Sequence, residues 1–317
     1  MSEVSHRWHI VGVNVVSRRK TRFGDQWMDR EQELAVTRRA YAKQIMAVME
    51  TEDARVEAAF SEVRREHFLG DGPWQILRWS GGYLQTPSAD PVYLYSDDLV
   101  ALDPARHVNN GQPSYHAMMI ARAAVIPGEH VVHIGAGVGY YTAILAHLVG
   151  LGGKVTAIEF DEALAQRAYE NLRQWALIRV IQGDGATVDF DAADVIYINA
   201  GATHPADRWL DGLKDGGRMI VPLTTNKGFM NNDPPEPIER RGAVFYIRRS
   251  GEDFSASWIG PIAIFPCENV RDPLSETALV TAFKRGGWER VTRLYRRSDI
   301  PEDRCWLRTA TCCLAYN

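Results

Sequence analysis

Three glycines at alternate positions, in Gly135-Ala136-Gly137-Val138-Gly139, follow directly on the apolar run Val131-Val132-His133-Ile134. A run this short, ended by glycine, predicts a strand buried on both faces. Beyond the glycines, residues 141–149 place Ile144, Leu145 and Leu148 at helical spacing, so the glycines sit where a strand turns into a helix. Glycine at such a turn permits positive φ and lets a ligand approach bare backbone. The free amides of the helix start add partial positive charge. The combination is a socket for a cofactor.

The next strands decide which cofactor. Residues 154–160 predict a second strand, and Glu159 near its end can accept hydrogen bonds from both hydroxyls of a ribose. The nicotinamide fingerprint is G-x-G-x-x-G, whereas this chain reads G-x-G-x-G with Tyr140 on the site of the last glycine. That makes a nicotinamide oxidoreductase a distant alternative. A third strand, 178–182, runs into Gly183-Asp184-Gly185, whose carboxylate can accept from the exocyclic amine of adenine. Strand and glycines, strand and acid, strand and Gly-Asp-Gly is the order expected for S-adenosylmethionine. The plainer alternative is a doubly wound domain with ordinary turn glycines.

Composition narrows the class. The chain has 317 residues, enough for one large domain with embellishments or two modest ones. Lys and Arg number 36 against 40 Asp and Glu, for a net charge of −4. This balance speaks against nucleic acid as a partner, which calls for concentrated basic residues. No apolar run approaches the roughly 20 residues that span a bilayer, and residues 1–9 are polar, without a signal-peptide core. No membrane partner is therefore expected. Three of the four cysteines crowd at Cys305, Cys312 and Cys313 without suggesting a disulfide framework, so a reduced, cytoplasmic protein is the default. With no C-x-x-C pair, no metal site is expected.

Along the chain, Arg18-Arg19-Lys20-Thr21-Arg22 reads as a solvated segment. Helices are predicted over 29–49 and 53–68, the second stopped by Gly70, Gly72 and Pro73. Residues 74–98 are rich in aromatic and turn residues and suggest short strands or loops, with Trp74 and Trp79 as core or lid packing. The segment 109–116 leads through Pro113 into a helix over 117–124. Residues 193–200 predict a fourth buried strand whose end, at Asn199 and Ala200, opens on the same crevice as the glycines. A short helix (206–213), a turn at Asp215-Gly216-Gly217, a strand (218–223) and a Pro/Asn-rich loop (225–239) follow. Strands at 244–248 and 257–265 complete the sheet. After residue 267 an added element is expected: a helix over 275–284 and a strand-like end over 306–314. The resulting division is an N-terminal helical and aromatic-rich region (1–100), a cofactor-binding core (101–266) and a C-terminal extension (267–317).

Over residues 55–266 these motifs together resemble the protein-L-isoaspartate O-methyltransferase family, within the S-adenosylmethionine-dependent, Rossmann-like methyltransferases. The helix ending in Arg65-Glu66-His67-Phe68 is similar to the family's arginine-glutamate-x-phenylalanine element. Gly111-Gln112-Pro113, the glycine loop with its helix, Gly183-Asp184-Gly185, Asp215-Gly216-Gly217-Arg218 and Val221-Pro222 match as well. The resemblance implies an α/β fold with a doubly wound, seven-stranded sheet, an N-terminal helical region and a C-terminal extension. It places S-adenosylmethionine on Gly135, Ala136, Gly137 and Gly139, its ribose on Glu159 and its adenine by Asp184 and Gly185. His116 falls where some members carry a cofactor-contacting histidine; a helix-start histidine that merely caps or packs is the plain alternative.

Two departures matter. His133 stands where the family usually has a carboxylate that holds the cofactor's amino-acid end. Gly111 stands where the family has its substrate-side serine, leaving Ser114 and His116 as weak catalytic candidates. Methyl transfer to a carboxylate needs little acid–base help, because the sulfonium is already activated and catalysis comes mostly from alignment. The expectation is therefore an O-methyltransferase acting on a carboxylate of a peptide, protein or small molecule and releasing S-adenosylhomocysteine, with isoaspartyl repair itself in question. The competing class is a non-catalytic adaptor that keeps the S-adenosylmethionine socket. Nothing in the sequence reports an oligomeric state.

Overall fold

The computed structural model describes residues 29–78, 82–226, 236–296 and 299–316. The basic run at 18–22, Trp79 and the Asn-Pro stretch at 231–235 lie outside the described residues. The chain begins with helices α1 (Arg30–Val48) and α2 (Ala54–Glu62), followed by strands β1 (Gln75–Arg78), β2 (Gly82–Gln85), β3 (Ala101–Asp103) and β4 (Val108–Asn109). Helix α3 (Pro113–Ala123) leads to β5 (His130–Ile134), α4 (Tyr140–Val149), β6 (Lys154–Glu159), α5 (Glu162–Leu172), β7 (Ile178–Gln182) and β8 (Ala193–Ile198). Then come α6 (Asp207–Gly212), β9 (Leu213–Thr224), β10 (Gly242–Ser250), β11 (Asp253–Pro261), α7 (Pro273–Arg285), β12 (Arg293–Tyr295), β13 (Cys305–Arg308) and β14 (Cys313–Ala315).

The main sheet runs β13-β14-β12-β11-β10-β9-β8-β5-β6-β7. From β9 to β7 all neighbours are parallel, and from β9 outward to β13 they are antiparallel. The expected seven strands are β5 to β11. The C-terminal extension adds β12, β13 and β14 to the same sheet, which therefore has ten strands among the described residues.

The order explains the burial. Every residue of β5 is buried, as a central parallel strand covered on both faces requires. On one face lie α1 to α4, with Tyr41, Phe60, Tyr140 and Ile144 in one apolar cluster. On the other, α6 and α7 contribute Trp209, Leu279 and Phe283 to a second cluster with β8 to β11. Helix α2 is capped by Asp53, whose carboxylate accepts from the Arg55 and Val56 amides.

Three local expectations change. The glycine turn at 215–217 is absorbed into β9, where Gly216 takes a positive φ and the pairing with β8 slips between Ala193 and Val195. The strand-like C-terminal end is two strands, paired as a hairpin. Within it Cys305 and Cys313 form a disulfide, with Cα atoms 6.0 Å apart. This corrects the expectation that the cysteines suggest no disulfide framework: crowding in sequence does not reveal that two of them meet within a hairpin, where Cys305 pairs in register with Ala315 and Cys313 with Arg308. Cys267 and Cys312 are free and buried. Among the described residues no helix is long and apolar enough to cross a membrane.

Candidate active site

Two cavities open at the carboxyl ends of the parallel strands. The first, about 350 Å³, is walled by Gly135, Ala136 and Gly137, by Glu159 after β6, by Asp184 and Gly185 after β7, and by Asn199 and Ala200 after β8. This is the crevice position expected for an open α/β sheet. The second, about 460 Å³, holds Gly111, Tyr115, His116 and Arg241. The two share Asn109, Asn199 and Phe265.

In the first cavity the backbone comes close because it carries no side chain. A Cβ on Gly135 would stand 3.0 Å from the Asn199 carbonyl oxygen, and φ there is +75°. Only glycine meets both conditions without strain. Glu159 is buried, and its two carboxylate oxygens accept from the Gly137 amide at 2.7 Å and the Asp161 amide at 3.0 Å. Burial raises its pKa, and those backbone donors offset only part of the rise. Each oxygen keeps a lone pair for a further donor such as a ribose hydroxyl. Asp184, on the cavity wall, accepts the Ala186 amide through Oδ1 at 2.9 Å, and its Oδ2 has no hydrogen bond among the described residues.

One orphaned atom tests whether a cofactor fits. Asn110 lines the first cavity, and its Nδ2 is buried with no partner. Its amide orientation is fixed by its Oδ1, which accepts from the Val100 amide at 3.0 Å and from Arg65 at 3.3 Å. A buried N–H without a partner is rare and calls for one; an amino-acid carboxylate in this cavity would supply it. The glycine approach, the acceptors at Glu159 and Asp184 and the donor at Asn110 fit S-adenosylmethionine in chemistry.

His133 lies outside both cavities. It is fully buried in β5, with Nδ1 2.9 Å from the Thr142 hydroxyl and Nε2 unpartnered. Burial lowers its pKa to about 3, so the ring is neutral. His116 does not line the first cavity but faces the second. Its Nδ1 is 2.7 Å from the Tyr197 hydroxyl, and its ring stacks on Tyr141 at 3.7 Å between centroids. Burial, then His133 and Arg65, hold its pKa well below the ordinary histidine value. Ser114 is fully buried, and its hydroxyl donates to Asp97 at 2.7 Å while its amide donates to the same carboxylate. Asp97 thus caps α3 from a distance, in place of the local polar caps expected.

The absent serine has a structural counterpart. A Cβ on Gly111 would stand 2.2 Å from His116 Nε2, and φ at Gly111 is +75°. The histidine ring occupies the place of any side chain at position 111. The wall residues Asn109, Asn110 and Phe265 were not singled out from the sequence. They come from segments before α3 and after β11, and no local pattern marks them. Among the described residues no cluster of His, Cys, Asp and Glu could hold a metal.

The family profile for protein-L-isoaspartate(D-aspartate) O-methyltransferase matches residues 39–234. A relative of that name from Ignicoccus hospitalis is 36% identical over 158 residues, which is 49% of this chain and 69% of the relative. One from Herpetosiphon aurantiacus is 35% identical over 175 residues, 54% of this chain and 68% of the relative. One from Thermotoga maritima is 29% identical over 174 residues, and there the chain spans only half of the relative's length. A solved protein-L-isoaspartate O-methyltransferase superposes with a TM-score of 0.58 at 23% identity, covering 74% of this chain and 68% of the other. A Plasmodium falciparum β-aspartate methyltransferase in complex with S-adenosyl-L-homocysteine gives 0.55 at 16% identity, covering 73% and 98%. Both support the Rossmann-like fold. By its profile match and its relatives, the chain belongs to the protein-L-isoaspartate O-methyltransferase family of S-adenosylmethionine-dependent enzymes.

Proposed function

We propose that the protein is an O-methyltransferase whose acceptor is a carboxylate of a peptide, protein or small molecule held in the second cavity. The observation that carries this is the shared wall: a cavity with the glycine approach and acceptors for an adenosyl group adjoins, at Asn109, Asn199 and Phe265, a second cavity lined by no carboxylate among the described residues. When bound, S-adenosylmethionine supplies a methyl on a sulfonium, displaced in line by the acceptor oxygen with S-adenosylhomocysteine as leaving group. Gly135 to Gly139 would lie along the cofactor, Glu159 would accept from its ribose, Asp184 from its adenine amine, and Asn110 would donate to its carboxylate. Asn109 and Asn199 border the place where the methyl and the acceptor meet. An ionised carboxylate is already a nucleophile, so the rate comes from holding two groups in line, and no serine is required.

The described parts of the N-terminal region (29–78 and 82–100) and of the C-terminal extension (267–296 and 299–316) frame this core. Isoaspartyl peptides are one candidate acceptor, as the relatives' names indicate, although Gly111 and His116 change the acceptor side. Family membership and the fitted cleft leave the non-catalytic adaptor unfavoured. A cytoplasmic setting is part of the proposal; there the Cys305 and Cys313 sulfurs would stand mostly as thiols on the same strands. Calorimetric titration with S-adenosylhomocysteine tests the first step, and heat that vanishes in Glu159→Ala is the expected result. Transfer of labelled methyl to an isoaspartyl peptide or to acids of a cell extract tests the second. Binding without transfer to any acceptor would refute the enzyme.

A further inference from the structure

Among the described residues the second cavity is lined by two arginines and no acidic residue, and its remaining walls are mostly apolar, with Leu77, Leu99, Met119 and Ile262 among them. The two cations differ. Arg78 is half-exposed and pairs with Asp98 at 2.6 Å. Arg241 makes no side-chain ion pair among the described residues, and its Nε is buried without a hydrogen-bond partner. A guanidinium does not lose its proton in a protein, so burial cannot neutralise it. Arg241 is half-buried, and its charge has no counter-ion among the described residues, which leaves it open to an anion entering the cavity.

Its position says which anion. Arg241 directly precedes β10, where the Gly242 carbonyl accepts from the Ile262 amide at 3.1 Å. The junction with the first cavity is formed by Asn109, Asn199 and Phe265, and Arg241 is not part of it. The group on Arg241 is therefore separate from the oxygen that receives the methyl. A volume near 460 Å³ falls in the range of pockets that enclose a compact ligand, with apolar walls and few polar groups.

We propose that the second cavity takes an acid built on a compact apolar body, with one anionic group on Arg241 and the methylated carboxylate at the junction. An aromatic or branched aliphatic body fills the apolar walls, and two acidic groups meet the two ends. This deepens the methyltransferase reading and rests on the second cavity being the acceptor's.

The test is calorimetry on the whole protein saturated with S-adenosylhomocysteine, titrated with phenylsuccinate, with succinate and with phenylsuccinamide. Phenylsuccinate should bind at least tenfold tighter than succinate, which lacks the apolar body, and than the diamide, which lacks the charges. Arg241→Met should erase the advantage over the diamide while S-adenosylhomocysteine affinity and Tm stay as in the parent, and Arg241→Lys should retain part of it. Equal binding of acid and diamide, or an advantage that survives Arg241→Met, overturns the proposal. The same titrations without S-adenosylhomocysteine keep the two readings apart. Acid binding lost with Arg241 supports the site even if the nucleotide fails to bind, whereas nucleotide binding without acid discrimination leaves the methyltransferase reading intact and removes this one.

Discussion

Replacing Gly111 by serine, the residue that the family resemblance implies there, should damage this protein, and removing His116 should relieve part of the damage. The new Cβ would meet His116 Nε2 at 2.2 Å and Cδ2 at 2.8 Å, at a φ of +75°. A side chain in that left-handed region costs roughly 1–2 kcal/mol. The imidazole must also leave its seat. It then loses the hydrogen bond to Tyr197, about 1–3 kcal/mol with the buried partner left unpaired, and the stack on Tyr141, about 0.5–1.5 kcal/mol. Gly111→Ser therefore costs roughly 3–6 kcal/mol, a large share of a typical stability of about 5–15 kcal/mol. His116→Ala loses the same hydrogen bond and stack and opens a void, about 2–4 kcal/mol. In the double variant those losses are counted once, so it should be more stable than the sum of the singles by about 2–4 kcal/mol. Urea unfolding near neutral pH, followed by tryptophan fluorescence, measures all four proteins. Gly111→Ala serves as the control that brings the Cβ without the hydroxyl, and should behave as Gly111→Ser does. Additivity within about 0.5 kcal/mol would refute the claim that the ring and the missing side chain compete for one place.

Glu159→Gln should weaken S-adenosylhomocysteine binding by roughly 10- to 100-fold, the value of charge-assisted hydrogen bonds to a ribose; an unchanged titration isotherm would remove Glu159 from the site. Because burial raises the Glu159 pKa, the parent's affinity should fall as pH drops through that raised value, while Glu159→Gln shows no such dependence. Ser114→Ala should lower stability by about 1 kcal/mol through loss of the bond to Asp97, with nucleotide affinity unchanged; weakened nucleotide binding at unchanged Tm would restore Ser114 as a site residue. His133, held down to about 3 when folded, takes up a proton near 6.5 once unfolded. Between those values the unfolded state binds more protons, so stability should fall with falling pH by up to about 1.4 kcal/mol per unit from this residue. His133→Asn should flatten the slope, read from urea midpoints at successive pH values, and an unaltered slope would contradict a neutral buried ring.

The sequence was most legible where structure is local. The apolar run before Gly135 gives β5 because a central parallel strand must be apolar on both faces, and Glu159 and Asp184 follow because each ends the next strand on the same edge. The same property hid the side on which His133 lies: with Val132 and Ile134 beside it, no alternation separates a face toward a cavity from a face toward Thr142. His116 posed the reverse difficulty. Its helix start was evident, but its ring is placed by Tyr141 and Tyr197, one on α4 and the other on β8. The second cavity was illegible for the same reason, since Arg241, Ile262 and Phe265 reach it from beyond β9. Glycine 111 could be read only as a loss, and the ring that fills its place became visible in three dimensions.

The buried Arg65 shows why the N-terminal helices belong to the site rather than beside it. It is fully buried and meets no carboxylate among the described residues; its guanidinium donates to the carbonyls of Leu94, Ser96 and Asp98 and to Asn110 Oδ1. Its charge also lies about 6 Å from the Tyr41 and Tyr140 rings, a cation–π distance. Three carbonyls converging on one cation pin the segment after β2, and Asp97 within that segment caps α3, on whose first turn His116 sits. The fourth acceptor, Asn110 Oδ1, fixes which end of that amide is the unpaired Nδ2, on a residue that walls the first cavity. One arginine, three residues beyond α2 in a short 3-10 turn, thereby orients an amide in the wall of the first cavity and, through Asp97, the helix start beside the second. A lysine there could not repeat this, because a compact ammonium has three donors and no planar fork to span four acceptors. The arginine-glutamate-x-phenylalanine element lines neither cavity and acts by positioning walls of both.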